Sequence, residues 1–179
     1  MKKTLILSSA LALASLSGTA LAADGAHGFV RAEVGNANIE IDNADGDDTA
    51  YSVRGGYFFN ANIGVEGFYS NFGEDEEDGV SGKITGYGLG VVAKKNFGAN
   101  NSGFYVDGRA GVVRTKTEVS VTGLGSADDS STKPYVGVGV GYDFSDAFGL
   151  SLNYGYVRAD AFGEDVNVQT LTLGGEFRF

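Results

Sequence analysis

The 179-residue chain has no cysteine, one proline (Pro134), one histidine (His27) and no apolar run approaching the ~20 residues of a membrane-spanning helix. Without cysteine there is neither a disulfide nor a thiolate metal site. One histidine leaves a Ser-His-Asp relay without a second base to draw on. Cationic side chains are scarce too, 13 against 23 acidic ones, for a net charge of −10. Nucleic acid and bare anionic headgroups are poor partners for such a surface. Glycine is abundant (29) but shows no G-X-Y period, so a collagen-like rod is excluded.

The N-terminus has the form of a secretory leader. Lys2 and Lys3 precede an apolar stretch from Leu5 to Leu16, and Ala20-Leu21-Ala22 is a small-x-small cleavage site that makes Ala23 the first mature residue. Two regions are expected, a signal peptide at 1–22 and one domain at 23–179. Loss of the two lysines leaves 11 cationic and 23 acidic groups, a mature charge of −12. Lacking a spanning helix, the mature chain can cross a membrane only as a closed β-barrel.

Period-2 alternation runs through the mature sequence and predicts eight strands, near 28–35, 50–59, 63–72, 84–95, 103–116, 134–144, 148–157 and 167–179. Short connections near 60–61, 96–102 and 145–147 alternate with long ones near 36–49, 73–83, 117–133 and 158–166. That asymmetry suits an antiparallel up-and-down transmembrane barrel with both ends of the chain on the short-turn side. Through the middle of every strand one parity is free of charge, as in Val30-x-Ala32-x-Val34 and Leu171-x-Leu173. The other holds Arg31, Glu33, Arg54, Glu66, Lys94, Asp107, Arg109, Asp143, Glu176 and Arg178. Five positive and five negative groups can neutralise one another inside a lumen.

Alternation alone does not say which parity faces inward, and a soluble lipocalin-like barrel would invert it. Aromatics gathered beside the short turns (Tyr57, Phe59, Phe97, Phe104, Tyr142, Phe144, Phe148, Phe177, Phe179) form a girdle at one interface and favour the membrane. Several strands also reach the ~9–11 residues that a bilayer requires. Gly56–Val65 and Gly141–Leu150 repeat one strand-turn-strand pattern in identical register, which supports the hairpin plan.

The tail Leu171-Thr172-Leu173-Gly174-Gly175-Glu176-Phe177-Arg178-Phe179 resembles the C-terminal signal of bacterial outer-membrane proteins. The stretches "GGYFFNANIGVEGFY" and "GVGVGYDFSDAFGLSLNYGY" are similar to hairpins of small eight-stranded barrels of the OmpA-like, OmpX-like and opacity type. This resemblance covers the whole mature chain. It implies a Gram-negative outer membrane, lipid and lipopolysaccharide around the barrel, and loops facing the exterior. It also implies handling by periplasmic chaperones and the barrel-assembly machinery, with Leu171, Leu173, Phe177 and Phe179 as the assembly signal. With the chain ending at strand eight, no peptidoglycan-binding domain is expected.

The resemblance fixes no activity. Some such barrels modify lipid A using a histidine on the outer side, but His27 falls at the periplasmic end, so an enzyme is disfavoured. A narrow pore for small solutes is the stronger alternative. Against it, an eight-stranded barrel is only wide enough for its own side chains, so Glu66 with Arg54 and Asp107 with Arg109 are expected in a salt-bridge plug. Glycines at 86, 88, 90, 137, 139 and 141 are expected to make room for the arginines. No cofactor is implied.

The long connections carry 16 of the 23 acids. Asp45, Asp47, Asp48, Glu74, Asp75, Glu76, Glu77 and Asp78 are the candidates for weak divalent-cation binding towards lipopolysaccharide. Asp42–Asp47 does not fit an EF-hand, since Ile41 stands five residues before Gly46. Asn38–Ile41 and Thr117–Val121 keep alternating, and either extend their hairpins or form a protruding sheet with a free edge. The expectation is a non-enzymatic surface barrel, contributing to envelope integrity or meeting an unknown external ligand through acidic loops.

Overall fold

The computed structural model describes residues 25–41, 44–77, 80–98, 102–121, 125–161 and 164–179, with side chains at 25–38, 48–73, 84–98, 102–116, 130–158 and 167–179. The expected leader, with Ala20, Ala22 and Ala23, lies outside the described residues.

Eight strands follow in order: β1 (His27–Ile41), β2 (Ala44–Phe58), β3 (Ile63–Glu77), β4 (Val80–Asn96), β5 (Gly103–Val121), β6 (Gly125–Asp143), β7 (Phe148–Ala161) and β8 (Glu164–Arg178). Each pairs antiparallel with its neighbours, and β8 returns to β1 to close the barrel. The closing seam is tied at its foot. Gly28 N–H donates to the Phe179 carbonyl at 2.7 Å, and Phe179 N–H to that of Gly28 at 2.9 Å. Closure leaves no strand edge inside the membrane, where an unpaired backbone group costs several kcal/mol.

Side-chain oxygens set the short turns. Asn60 Oδ1 accepts the N–H groups of Asn62 and Ile63 at 2.8 and 2.9 Å. In the second copy of the sequence repeat, Ser145 Oγ takes the same place, accepting from Ala147 and Phe148 at 3.3 and 3.2 Å. The repeat is therefore a shared turn chemistry, in which a short polar side chain replaces a backbone acceptor.

The strands run further than alternation predicted. β1 continues to Ile41 and β2 starts at Ala44, so the expected loop at 36–49 is mostly ladder. The other three long connections shorten in the same way. Only two ladders stop early: β2–β3 ends at Tyr51↔Asn71 and β6–β7 at Tyr135↔Val157.

The charge-free parity points outward. Leu89 is 70 % exposed, and Val34, Val91, Val138, Leu150, Leu171 and Leu173 are also open. The phenylalanine belt lies beside the short turns, with Phe104 packed edge-on to Tyr142 at 5.0 Å. A second belt, missed in the sequence, is made of tyrosines at the opposite end: Tyr51, Tyr69, Tyr87 and Tyr154 are exposed. From Phe59 to Tyr51 is about 26 Å along the strand, or about 20 Å along the normal at a typical barrel tilt of ~40°. That is close to the height of a lipid-facing band. No helix among the described residues is long and apolar enough to cross a membrane, so crossing falls to the strands.

Candidate functional site

The inward parity brings the ten charged groups together, and all but the half-buried Arg54 are buried. Their bonds cross the lumen. Arg31 on β1 holds Glu176 on β8 through Nε at 2.9 Å, and reaches Asp107 on the opposite wall at 3.3 Å. Arg109 on β5 returns across the same diameter to Glu33 on β1 at 2.9 Å. Lys94 on β4 spans to Glu176 at 3.1 Å and to Asp143 at 3.0 Å. Arg54 bridges Glu33 (3.1 Å) and Glu66 (3.0 Å). Arg178 contacts Asp143 and Glu176 and donates to the Ser145 and Asp146 carbonyls of the β6–β7 turn.

Neutral groups complete the web. Asn153 Oδ1 accepts from Arg109 at 2.7 Å, Ser52 donates to Glu33 at 2.9 Å, and the Tyr135 hydroxyl donates across the barrel to Glu66 at 2.7 Å. Each charge thus has at least one opposite partner, which offsets a desolvation cost that would otherwise be several kcal/mol per ion. One contact is imperfect: Arg109 Nε lies 3.2 Å from Asp107 Oδ1 but is poorly aligned for a hydrogen bond.

The charge pattern alone gave no sign of the apolar layers inside the same lumen. Ala37, Ala50, Phe68, Phe72, Val113, Tyr135, Val157 and Val168 pack together, with Ile84 against them. Every strand contributes at least one residue to this cap, which lies on the long-hairpin side of the ionic web. Phe29, Phe58 and Val92 form a smaller cluster towards the periplasmic end, where His27 stacks on Phe58 at 4.9 Å. Within the upper lumen, voids of about 30 and 20 Å³ have room for roughly one water each. A larger hollow of about 200 Å³ opens below Lys94, Asp143 and Arg178, bounded by His27 and Ala61.

Four of the six luminal glycines, at 86, 88, 90 and 141, clear aromatic rings and not the arginines expected opposite them, while Gly139 lies against Asp107 and Asn153 and Gly137 against backbone alone. A Cβ on Gly88 would come within 2.7 Å of the Phe68 ring, and one on Gly86 within 2.9 Å of Phe72. Gly90 clears the Tyr135 hydroxyl and Gly141 the Tyr105 ring. Small wall residues face large luminal rings because an eight-stranded lumen has width for one of the two.

The remaining candidates are more scattered. Leu171, Leu173 and Phe179 are exposed to the lipid side, and Phe177 packs on Phe148 at 5.0 Å. Of the candidate cation ligands, Asp48 accepts the N–H of Thr49 at 2.6 Å. The side chains of Asp45, Asp47, Glu74, Asp75, Glu76 and Glu77, and the whole of Asp78, lie outside the described residues. Among the described residues no group of three or more His, Cys, Asp or Glu is placed to hold a metal.

A closed barrel with hydrocarbon-compatible walls and an ionic interior defines a transmembrane β-barrel. Residues 8–179 match the outer membrane protein beta-barrel domain, and the chain belongs to that family. It is an outer-membrane protein of the Gram-negative type. A comparison with curated proteins finds no match. Among solved structures, Neisserial surface protein A (NspA) aligns with a TM-score of 0.70 at 18% identity, over 87% of this chain and 99% of that one. The Yersinia pestis attachment invasion locus protein Ail, in complex with the heparin analogue sucrose octasulfate, aligns at 0.65 with 19% identity, over 87% and 99%. Pseudomonas aeruginosa OprG aligns at 0.54 with 15% identity, over 86% and 96%. At these identities the likeness is one of fold.

Proposed function

We propose that this protein is a sealed, non-enzymatic surface barrel whose outward hairpins contribute to envelope integrity and meet external partners. The observation that carries the reading is the filled lumen: diametric salt bridges lie beneath an apolar cap drawn from all eight strands. A barrel built this way spends its interior on rigidity and leaves its chemistry to the hairpins outside. Those hairpins carry most of the acidic residues, and at their base they stand among lipopolysaccharide phosphates, which divalent cations can link to carboxylates. The polyanion held by Ail is a poor model for the ligand here, because a chain of net charge −10 repels it. The external partner is accordingly expected to be neutral or basic.

A deletion strain complemented with the intact gene, or with one whose hairpin acids are replaced by Asn and Gln, tests this reading. The expected result is raised detergent sensitivity or lost surface binding in the deletion, restored by the intact gene and not by the neutralised one. Unchanged permeability and unchanged surface binding in the deletion would contradict it.

A further inference from the structure

The lipid-facing wall is not evenly filled. Across β5, β6, β7, β8 and β1 runs an apolar groove of about 500 Å³, and its course follows the ladder. One bank is the row Phe104↔Tyr142↔Leu150↔Gly175↔Ala32, the other the row Val106↔Val140↔Leu152↔Leu173↔Val34. Between them the backbones of Gly141, Ser151 and Gly174, residues of the inward parity, make the floor. The groove is widest towards β8 and β1, where the first bank falls away to Gly175 and Ala32. A Cβ on Gly175 would meet only Leu150 Cδ2, at 3.8 Å.

Register sets the slope of this groove. Followed once round the barrel, the row that leaves β1 at Gly28 returns to it at Asn38, ten residues further along. With ~3.4 Å per residue and ~4.8 Å between strands, that stagger tilts the strands ~40° from the barrel axis. A row crossing the strands at right angles therefore climbs about 3 Å at each step. Phe104 and Ala32 stand four steps apart, so the groove is about 19 Å long and rises about 12 Å from the phenylalanine belt. Half of a bilayer's hydrocarbon core is ~15 Å thick. The groove thus spans one leaflet, the one on the short-turn side.

A charge stands at its foot. Carried one strand back, the second row meets Lys95 on β4 through the pair Lys95↔Val106. Lys95 shares the outward parity of Val91 and Ala93, and it is the one exposed cation at the short-turn end among the described residues. The other cations there, Lys94 and Arg178, are buried in the lumen. Neither row contains an acid. A cation at the interface, with an apolar channel rising from it through one leaflet, complements a phosphate and the chain that hangs from it.

We propose that the groove is a binding site for one anionic glycerophospholipid of the short-turn leaflet, its headgroup at Lys95 and one acyl chain on the floor between Phe104 and Ala32. Bulk lipid touches every outward position, but only here does a chain meet two banks and a floor together with a cation. A second barrel fits poorly, since its convex wall would rest on the banks and leave the floor empty. The proposal rests on the lipid-facing wall alone. It is independent of what the hairpins bind and of whether the lumen is sealed.

The test is native mass spectrometry of the mature protein released from nanodiscs of phosphatidylglycerol and phosphatidylcholine in equal parts, with folding judged by heat-modifiable gel mobility. After the bulk lipid is stripped, the intact barrel should keep one phospholipid. Phosphatidylglycerol should exceed phosphatidylcholine about fivefold, the preference that one lysine near a headgroup supplies. Ala32→Leu/Gly175→Leu, which fills the groove, should remove the retained lipid of both kinds. Lys95→Gln should keep a lipid but bring the two kinds to parity. Gly55→Leu/Gly67→Leu, a pair opposed on the β2–β3 wall outside the groove, should match wild type. Equal retention by the intact and groove-filled barrels would overturn the proposal. So would a phosphatidylglycerol preference that survives Lys95→Gln, or a loss of lipid in the Gly55/Gly67 variant. A barrel released as a lipid-free dimer would give the groove to a second copy and overturn it as well.

Discussion

Replacing Arg31 with methionine isolates the contribution of the luminal bridge. Arg31 is 1 % exposed and is held by Glu176 through Nε at 2.9 Å, by Asp107 at 3.3 Å and by Asn153 at 3.3 Å. Methionine keeps most of the stem and removes the charge and all donors. Glu176 then retains Lys94 and Arg178, each at 3.1 Å, and Asp107 retains Arg109 at 3.2 Å. Because both carboxylates keep partial partners, the loss should fall at the lower end of the ~3–5 kcal/mol for breaking a buried pair. Adding Glu176→Gln restores charge balance, so the double variant should be more stable than the sum of the singles by about 1–3 kcal/mol. Urea titration in phosphatidylcholine vesicles, read by gel mobility of the folded form, measures all four corners of the cycle. A single-variant loss below about 0.5 kcal/mol, as for an exposed pair, or zero coupling, would refute the reasoning.

Three further substitutions bear on sidedness and packing. Leu89→Arg places a charge on the most open part of the lipid face and should cost ~2–4 kcal/mol in the same titration; an unchanged or improved stability would put that face in water. Gly88→Val drives a Cβ to 2.7 Å from the Phe68 ring and should cost ~1–3 kcal/mol. Gly108→Val, where a Cβ meets nothing within 4 Å, should stay within about 0.5 kcal/mol of wild type.

Much of this architecture was legible in the sequence because lipid enforces a strict rule. No hydrocarbon-facing position such as Leu89, Val138 or Leu173 tolerates charge, so parity survives as a readable pattern. The short turns were legible as well, since Asn60 and Ser145 stand in one register of a visible repeat. Luminal packing was much less so. Phe68, Phe72, Val113 and Val168 share the parity of the arginines, and an apolar residue on an ionic face gives no hint of which ring it meets across the barrel. The ring partners of the glycines were hidden for the same reason: Gly88 and Gly141 yield to Phe68 and Tyr105 on adjacent strands, a relation that depends on register and not on spacing. The hairpin extensions were obscured because Gly and Asp, typical of loops, fill segments such as 44–48 that pair to β1 all the same. The early end of the β6–β7 ladder was hidden in Pro134, and the β3–β4 register shift in Phe72, residues whose importance appears only once the ladders on either side are known.

Single-channel recording in planar bilayers tests the sealed lumen most directly. The purified mature barrel should insert and stay silent, with no unit conductance above baseline over the range of potentials a bilayer withstands. Steady, reproducible steps from the wild-type protein would mean that ions pass the Arg31–Asp107 and Arg109–Glu33 bridges and the apolar cap above them, and the barrel would be a pore.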